Sequence, residues 1–293
     1  MSTRALVGLL AVSCIAPFAS GSVSYDAWWA AGHPVQDGRL AIHDPVVRLR
    51  VTDTAGGIHY GSGVYVGGAI LCDGHTTNYG GGVVASSIEI RSGWDVVNDP
   101  WQVVTTTSYL THPNYNPDAG VGQSTDLSII YASMALPAAT WATTAPVLGA
   151  TFRMSGFGFP YTADGGQQSP ADNSLKLAGS NVYQYRGESF GYNGFLLCQF
   201  QEDFLGLPDE WGATFGDSGG AWWEMRNGHP ELVALTTFTS GFTYGSFTGG
   251  LSLARESAWI SANVPAPASA VFLALGLVTS RRRRAYTGET LVR

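Results

Sequence analysis

Cysteine and charge are what this chain has least of. Of its 293 residues only 13% are Asp, Glu, Lys or Arg, and only three are Cys. Cys14 lies in a leader-like first stretch, which leaves Cys72 and Cys198 to a mature chain. At most one bridge is no disulfide framework, so two buried free thiols is the favoured reading. Long runs rich in Ala, Leu, Glu and Lys are missing, which argues against a helical bundle. No phosphate-binding loop, dinucleotide fingerprint or clustered set of metal ligands is present, so neither a cofactor nor a metal is expected. Net charge is −7, and the two chain ends hold Arg4, Arg281 to Arg284 and Arg293 against Glu289 alone; trimming both ends deepens it to −12. Such a surface repels phosphate backbones and excludes nucleic acid as a partner.

What is there points to short strands. Hydrophobic residues make up 45%, enough for a packed core, and 38 glycines accompany many Thr, Val and aromatic residues. The fold class expected is all-β. Val46–Val51 alternates in period two, and further strand patterns lie at 63–67 and 69–71, broken by Gly67-Gly68, and at 87–91, 101–104 and 127–131. Pro, Ala and Thr dominate 136–148, which reads as a crossover. Strand patterns resume at 151–156, 181–186, 195–200, 221–225 and 231–235, the last two joined by Asn227-Gly228, a strong hairpin signal. Only 251–262 reads as a helix.

The ends read as addresses. Residues 1–22 have a positive start at Arg4, an apolar stretch over 5–18 and small residues at 19–22, the pattern of a secretory signal. Residues 264–293 hold a Pro-rich lead, an apolar run over 270–278 and four arginines at 281–284. This tail resembles the bacterial PEP-CTERM sorting signal, with Ala266 in place of the usual Glu. The resemblance implies export machinery and C-terminal sorting machinery as partners, transient membrane contact through the tail, and an exported product.

Chemistry concentrates at Gly216-Asp217-Ser218-Gly219-Gly220. A serine attacks a carbonyl only when a base takes its proton and donors stabilise the resulting oxyanion. Flanking glycines let the backbone turn tightly enough for the N–H groups of Gly216 and Ser218 to converge. The pentapeptide resembles the nucleophile segment of the chymotrypsin/trypsin family. That resemblance implies a His, Asp, Ser order along the chain, two six-stranded antiparallel β-barrels and a short C-terminal helix. The family histidine follows a strand, as His75 does in Ala69-Ile70-Leu71-Cys72-Asp73-Gly74-His75, although Asp73-Gly74 stands where relatives carry two alanines. The family aspartate opens an apolar strand, as in Thr125-Asp126-Leu127-Ser128-Ile129-Ile130, and His112-Pro113-Asn114-Tyr115 precedes it as in relatives. Ser155-Gly156-Phe157-Gly158 resembles the opening of the second barrel. The domain expected is 23–263, with barrel one at about 40–135, barrel two at about 148–252 and the helix at about 252–262.

The resemblance then implies a serine endopeptidase acting on a protein or peptide. Ser218 would be the nucleophile, His75 the general base, Asp126 the residue orienting it, and the N–H groups of Gly216 and Ser218 the oxyanion hole. His33, His43, His59, His112 and His229 compete with His75, and Asp118 with Asp126, but none has the flanking pattern. The floor of the family's specificity pocket falls on Gly212, and its wall on Thr237, Phe238 and Thr239. No carboxylate stands at the floor, so small or medium apolar side chains are expected there. A catalytically inert protein on the same fold is the alternative. An esterase on an α/β-hydrolase fold is the weaker one, because no Asp and only His229 follow Ser218.

Overall fold

The computed structural model describes residues 22–24, 26–120, 122–168, 172–202 and 206–265. Apart from Ser22, the leader reading lies outside them, as does the sorting-tail reading beyond Pro265.

Alternation along the chain decides which faces are buried. In the strand Val46–Asp53, Val47, Leu49 and Val51 are fully buried in one core, so Arg48 and Arg50 take the opposite face. This strand lies inside an antiparallel sheet whose order is 78–80, 83–92, 46–53, 58–65, 69–72, 128–131 and 109–111, with Gln102–Thr106 pairing Val83–Ser92. A second antiparallel sheet runs 177–182, 151–156, 221–226, 229–239, 247–252, 195–199 and 185–186. Together they form a near-closed barrel and a half-barrel, with a short C-terminal helix. Among the described residues the sheets hold eight and seven strands where six each were expected. The excess comes from short edge pieces such as Asn78–Gly80 and Tyr185–Arg186.

Each sheet encloses its own core. The first packs Val47, Leu49, Ile70, Cys72, Ile88 and Ile130; the second packs Phe152, Met154, Leu196, Cys198, Trp211 and Trp222. A third apolar cluster, including Leu71, Leu127, Phe157, Trp223 and Leu235, fills the seam between them. Each such side chain contributes about 1.5–3 kcal/mol on burial, so the seam is a structural core and not a loose contact. Cys72 and Cys198 are free and buried in different cores.

The crossover has no strand over 136–148, and the chain is pinned there at Trp141, which bridges Leu232. The Asn227-Gly228 hairpin forms as its sequence dictates, with φ of 50° and 79° and Arg226 opposite His229. The closing helix spans Leu253–Asn263 and buries Leu253, Glu256 and Ile260 on one face. A small third sheet pairs Ser22–Ser24 in parallel with Pro160–Thr162, which pairs in turn with Gly166–Gln167.

Candidate active site

Strand pairing brings His75 and Asp126 together. Cys72 ends one strand opposite Ser128, which begins the next. The residues just after Cys72 and just before Ser128 therefore meet at one end of the sheet. His75 sits in the single turn Gly74–Thr76 there. Its Nδ1 lies 2.7 Å from Asp126 Oδ2, and its backbone N–H donates to Asp126 Oδ1 at 2.8 Å. An ionised carboxylate only accepts, so Asp126 holds the proton on Nδ1, and in the neutral ring Nε2 is left with the free lone pair. Burial opposes charge on the ring, but the attraction and hydrogen bond of Asp126, joined by Asp73, raise His75 from 6.5 to about 9.

Gly74 explains part of the departure from two alanines. A Cβ there would come within 2.8 Å of the Tyr115 ring and 3.1 Å of Asp126 Oδ1. Asp73 explains the rest and was not picked out by sequence reasoning. It is fully buried, its Oδ1 accepts from Thr237 Oγ1 at 3.2 Å, and its Oδ2 lies 3.9 Å from His75 Nε2. Burial first, then the charge of Asp126, pushes its carboxyl well above the usual range. The signal available in the sequence was a carboxylate standing in an otherwise apolar segment.

The Ser218 loop is fixed by its main chain. The Ser62 N–H donates to Ser218 O at 2.7 Å, and Ser62 Oγ donates to Gly216 O at 2.8 Å. Gly219 N–H reaches Thr236 O at 2.7 Å, and Gly220 N–H reaches Asp217 O at 2.6 Å. Asp217 is buried, and its carboxylate accepts from Gly158 N at 2.9 Å and Thr214 N at 3.1 Å. Side chains at Gly156 or Gly158 would overlap that carboxylate, which accounts for both glycines beside Phe157. Gly216 and Gly219 have φ of 89° and 82°, which only glycine adopts without strain. The N–H groups of Gly216 and Ser218 donate to no acceptor among the described residues. Two amide donors left open at and beside a serine are the kind of groups that an oxyanion needs.

The two loops abut across the seam. A Cβ at Gly219 would overlap Ser62 O and lie 3.3 Å from Cys72 Cα, and the Gly219 N–H faces the Asp73 carboxyl. Ser218 is half-buried, and its hydroxyl makes no hydrogen bond with His75. Such bonds are long in unliganded sites and tighten when substrate binds.

Other candidates separate cleanly. His43 is fully buried, His59 pairs with Asp53 at 2.7 Å and stacks on Tyr79, and His112 is buried against the Trp259 edge. His33 begins a short helix, His229 is exposed in the hairpin, and Asp118 is exposed. At the expected pocket, Gly212 is buried and its neighbour Ala213 donates to Thr248 Oγ1 at 2.9 Å. Thr248 pairs with Thr239 on the neighbouring strand, so the Gly212–Ala213 segment meets the strand that Thr239 borders through the Thr248 side chain. Phe238 is half-buried against Tyr192 and Phe195, whereas the Thr237 hydroxyl turns away to Asp73.

Among solved structures, HL collagenase is similar at a TM-score of 0.55 and 18% identity, over 76% of this chain and 94% of that one. Neuropsin, a serine protease expressed in the limbic system of mouse brain, is similar at 0.58 and 18% identity, over 77% and 97%. No family model matches the chain, and no curated protein matches it in sequence. The fold is that of the trypsin-like serine proteases.

Proposed function

We propose that the chain is an exported serine endopeptidase that cleaves peptide bonds through an acyl-enzyme. The observation that carries this reading is the His75–Asp126 pair, set across the seam from a serine whose own N–H and that of Gly216 are open. Ser218 Oγ attacks the carbonyl as His75 Nε2 takes its proton. The carbonyl oxygen, now negative, sits on the two free N–H groups. His75 then returns the proton to the leaving amine, and water repeats the sequence to release the acid. Asp126 orients the imidazole and supports its charge without itself taking the proton. Gly212, Phe238 and Thr239 border the pocket for the residue before the cut and favour small or medium apolar side chains.

The N-terminal signal and the C-terminal tail support export, membrane contact through the tail and handling by sorting machinery. The test is labelling of purified protein with a fluorophosphonate, beside Ser218→Ala and a peptide-cleavage assay. Wild type labels and cleaves; the variant does neither, with turnover falling by about 10⁶. A wild-type protein that folds but never labels would establish the inert alternative.

A further inference from the structure

An acidic protein places three of the nine Lys and Arg residues found between positions 39 and 255 in one cleft. Arg48 and Arg50 project from the outer face of Val46–Asp53, two residues apart and therefore on the same side. Register adds the rest: Arg48 stands opposite Arg91 on one neighbouring strand, and Arg50 stands between Glu89 and Tyr60. With Asp172 and Asn173 they line a cleft of about 440 Å³. That is room for a side chain and part of its backbone.

Not all of this charge is spent internally. Arg91 Nε donates to Glu89 Oε1 at 2.8 Å and Arg91 Nη1 to Val96 O at 3.1 Å, so that pair is closed. Asp172 is exposed, and its Oδ1 accepts from Ser174 N at 2.9 Å. Arg48 is only 7% exposed and reaches Asn173 O at 3.4 Å, yet its buried Nε has no partner among the described residues. Arg50 has no hydrogen bond or ion pair among the described residues. Two guanidinium groups thus face the cleft with donors unsatisfied, one of them desolvated. Glu89 and Asp172 attract Arg48 across the cleft without forming an ion pair with it, and a further carboxylate matches its guanidinium fork.

The cleft adjoins the Ser218 loop. Arg48 is the cross-strand neighbour of Ser62, which bonds both Ser218 O and Gly216 O. A Cβ at Gly216 would overlap the Asn173 amide, and Gly61, next to Tyr60, would carry its Cβ 3.3 Å from Ser218 O. A chain lying across Ser218 and continuing along this strand runs into the cleft.

We infer that the Arg48–Arg50 cleft is a substrate subsite that binds a carboxylate of the peptide a few residues from the scissile bond. The inference rests on the endopeptidase reading of Ser218. It makes the enzyme selective at two separate points: an apolar residue at the pocket bordered by Gly212, and an acidic group at the cleft. In a protein this negative, the cleft is where an acidic substrate is drawn in, so selection weakens with salt.

The experiment uses the full chain and matched fluorogenic peptides. A single Glu is walked through each position on both sides of the cut and compared with Gln, each peptide made as free acid and as amide. At one position Glu raises kcat/KM over Gln by about ten-fold, the worth of one charge-assisted hydrogen bond. Arg50→Gln removes that preference while leaving the Gln peptide and fluorophosphonate labelling unchanged. A preference confined to the free acids assigns the carboxylate to the chain terminus; one kept in the amides assigns it to a side chain. Equal rates for Glu and Gln at every position, with no gain for free acids, overturn the inference in an enzyme that still labels and cleaves. Absence of labelling instead removes the endopeptidase reading itself.

Discussion

Asp73 sets a second carboxyl within 3.9 Å of His75 Nε2, the nitrogen that accepts the serine proton in the proposed mechanism. The proposed activity needs His75 neutral. Because its value is raised to about 9, the rising limb of kcat/KM is expected in the alkaline range and not near 6.5. Any ionisation of Asp73 pushes His75 further up, since a neighbouring negative charge favours the imidazolium. Asp73→Asn keeps an acceptor for Thr237 and removes the charge. A pH–rate profile of this variant should show the limb at lower pH than in wild type. Gly74 makes a steric prediction at the same place. Gly74→Ala drives a methyl into the Tyr115 ring and displaces the turn that carries His75. It should lower kcat/KM at least ten-fold, since small misplacements of a reacting group cost about that or more, and Tyr115→Ala in the same chain should restore part of it.

At the level of single elements, the Asn227-Gly228 hairpin gives the cleanest measurement. Nothing lies within 4 Å of a Cβ built at Gly228, so Gly228→Ala meets no clash and pays only for its φ of 79°. Denaturant unfolding should show a loss of about 1 kcal/mol. Asn227→Gly should be nearly neutral. That hairpin was legible in two letters because turn chemistry is local. So was the closing helix, expected at 251–262 and found at Leu253–Asn263. The pairing of His75 with Asp126 was legible only through family order, and the structure supplies its physical reason in the Cys72–Ser128 register. The cleft was not legible at all. Arg48 and Arg50 are neighbours in sequence, but Arg91 and Glu89 join them only through a strand register that no local pattern encodes. Thr237 was expected on the pocket wall, and its hydroxyl instead serves Asp73, a partner 164 residues away.

Across the whole molecule, two buried basic groups tie stability to pH. Burial, then the charges of Arg153 and Lys176, lowers His43 to about 3, and neither ring nitrogen has a hydrogen-bond partner among the described residues. The unfolded chain takes up this proton below about 6.5, so stability falls as pH drops from 6.5 towards 3. Lys176 is lowered to about 7 by burial, with Nζ held by His43 O at 2.8 Å. Between pH 7 and 10.5 the unfolded chain binds the extra proton, so stability rises with pH over that window. Lys176→Met removes the rise and should stabilise the protein by about 1–3 kcal/mol at pH 7 and below, as thermal melts at several pH values would show.

The two free thiols have a use that their separation creates. Cys72 is sealed in one barrel's interior and Cys198 in the other's. Burial also suppresses the thiolate of each. An alkylating reagent therefore reaches either sulfur only when the surrounding layer opens. With Cys14 replaced, the order in which the two positions become modified would clock the breathing of each half of the protein independently.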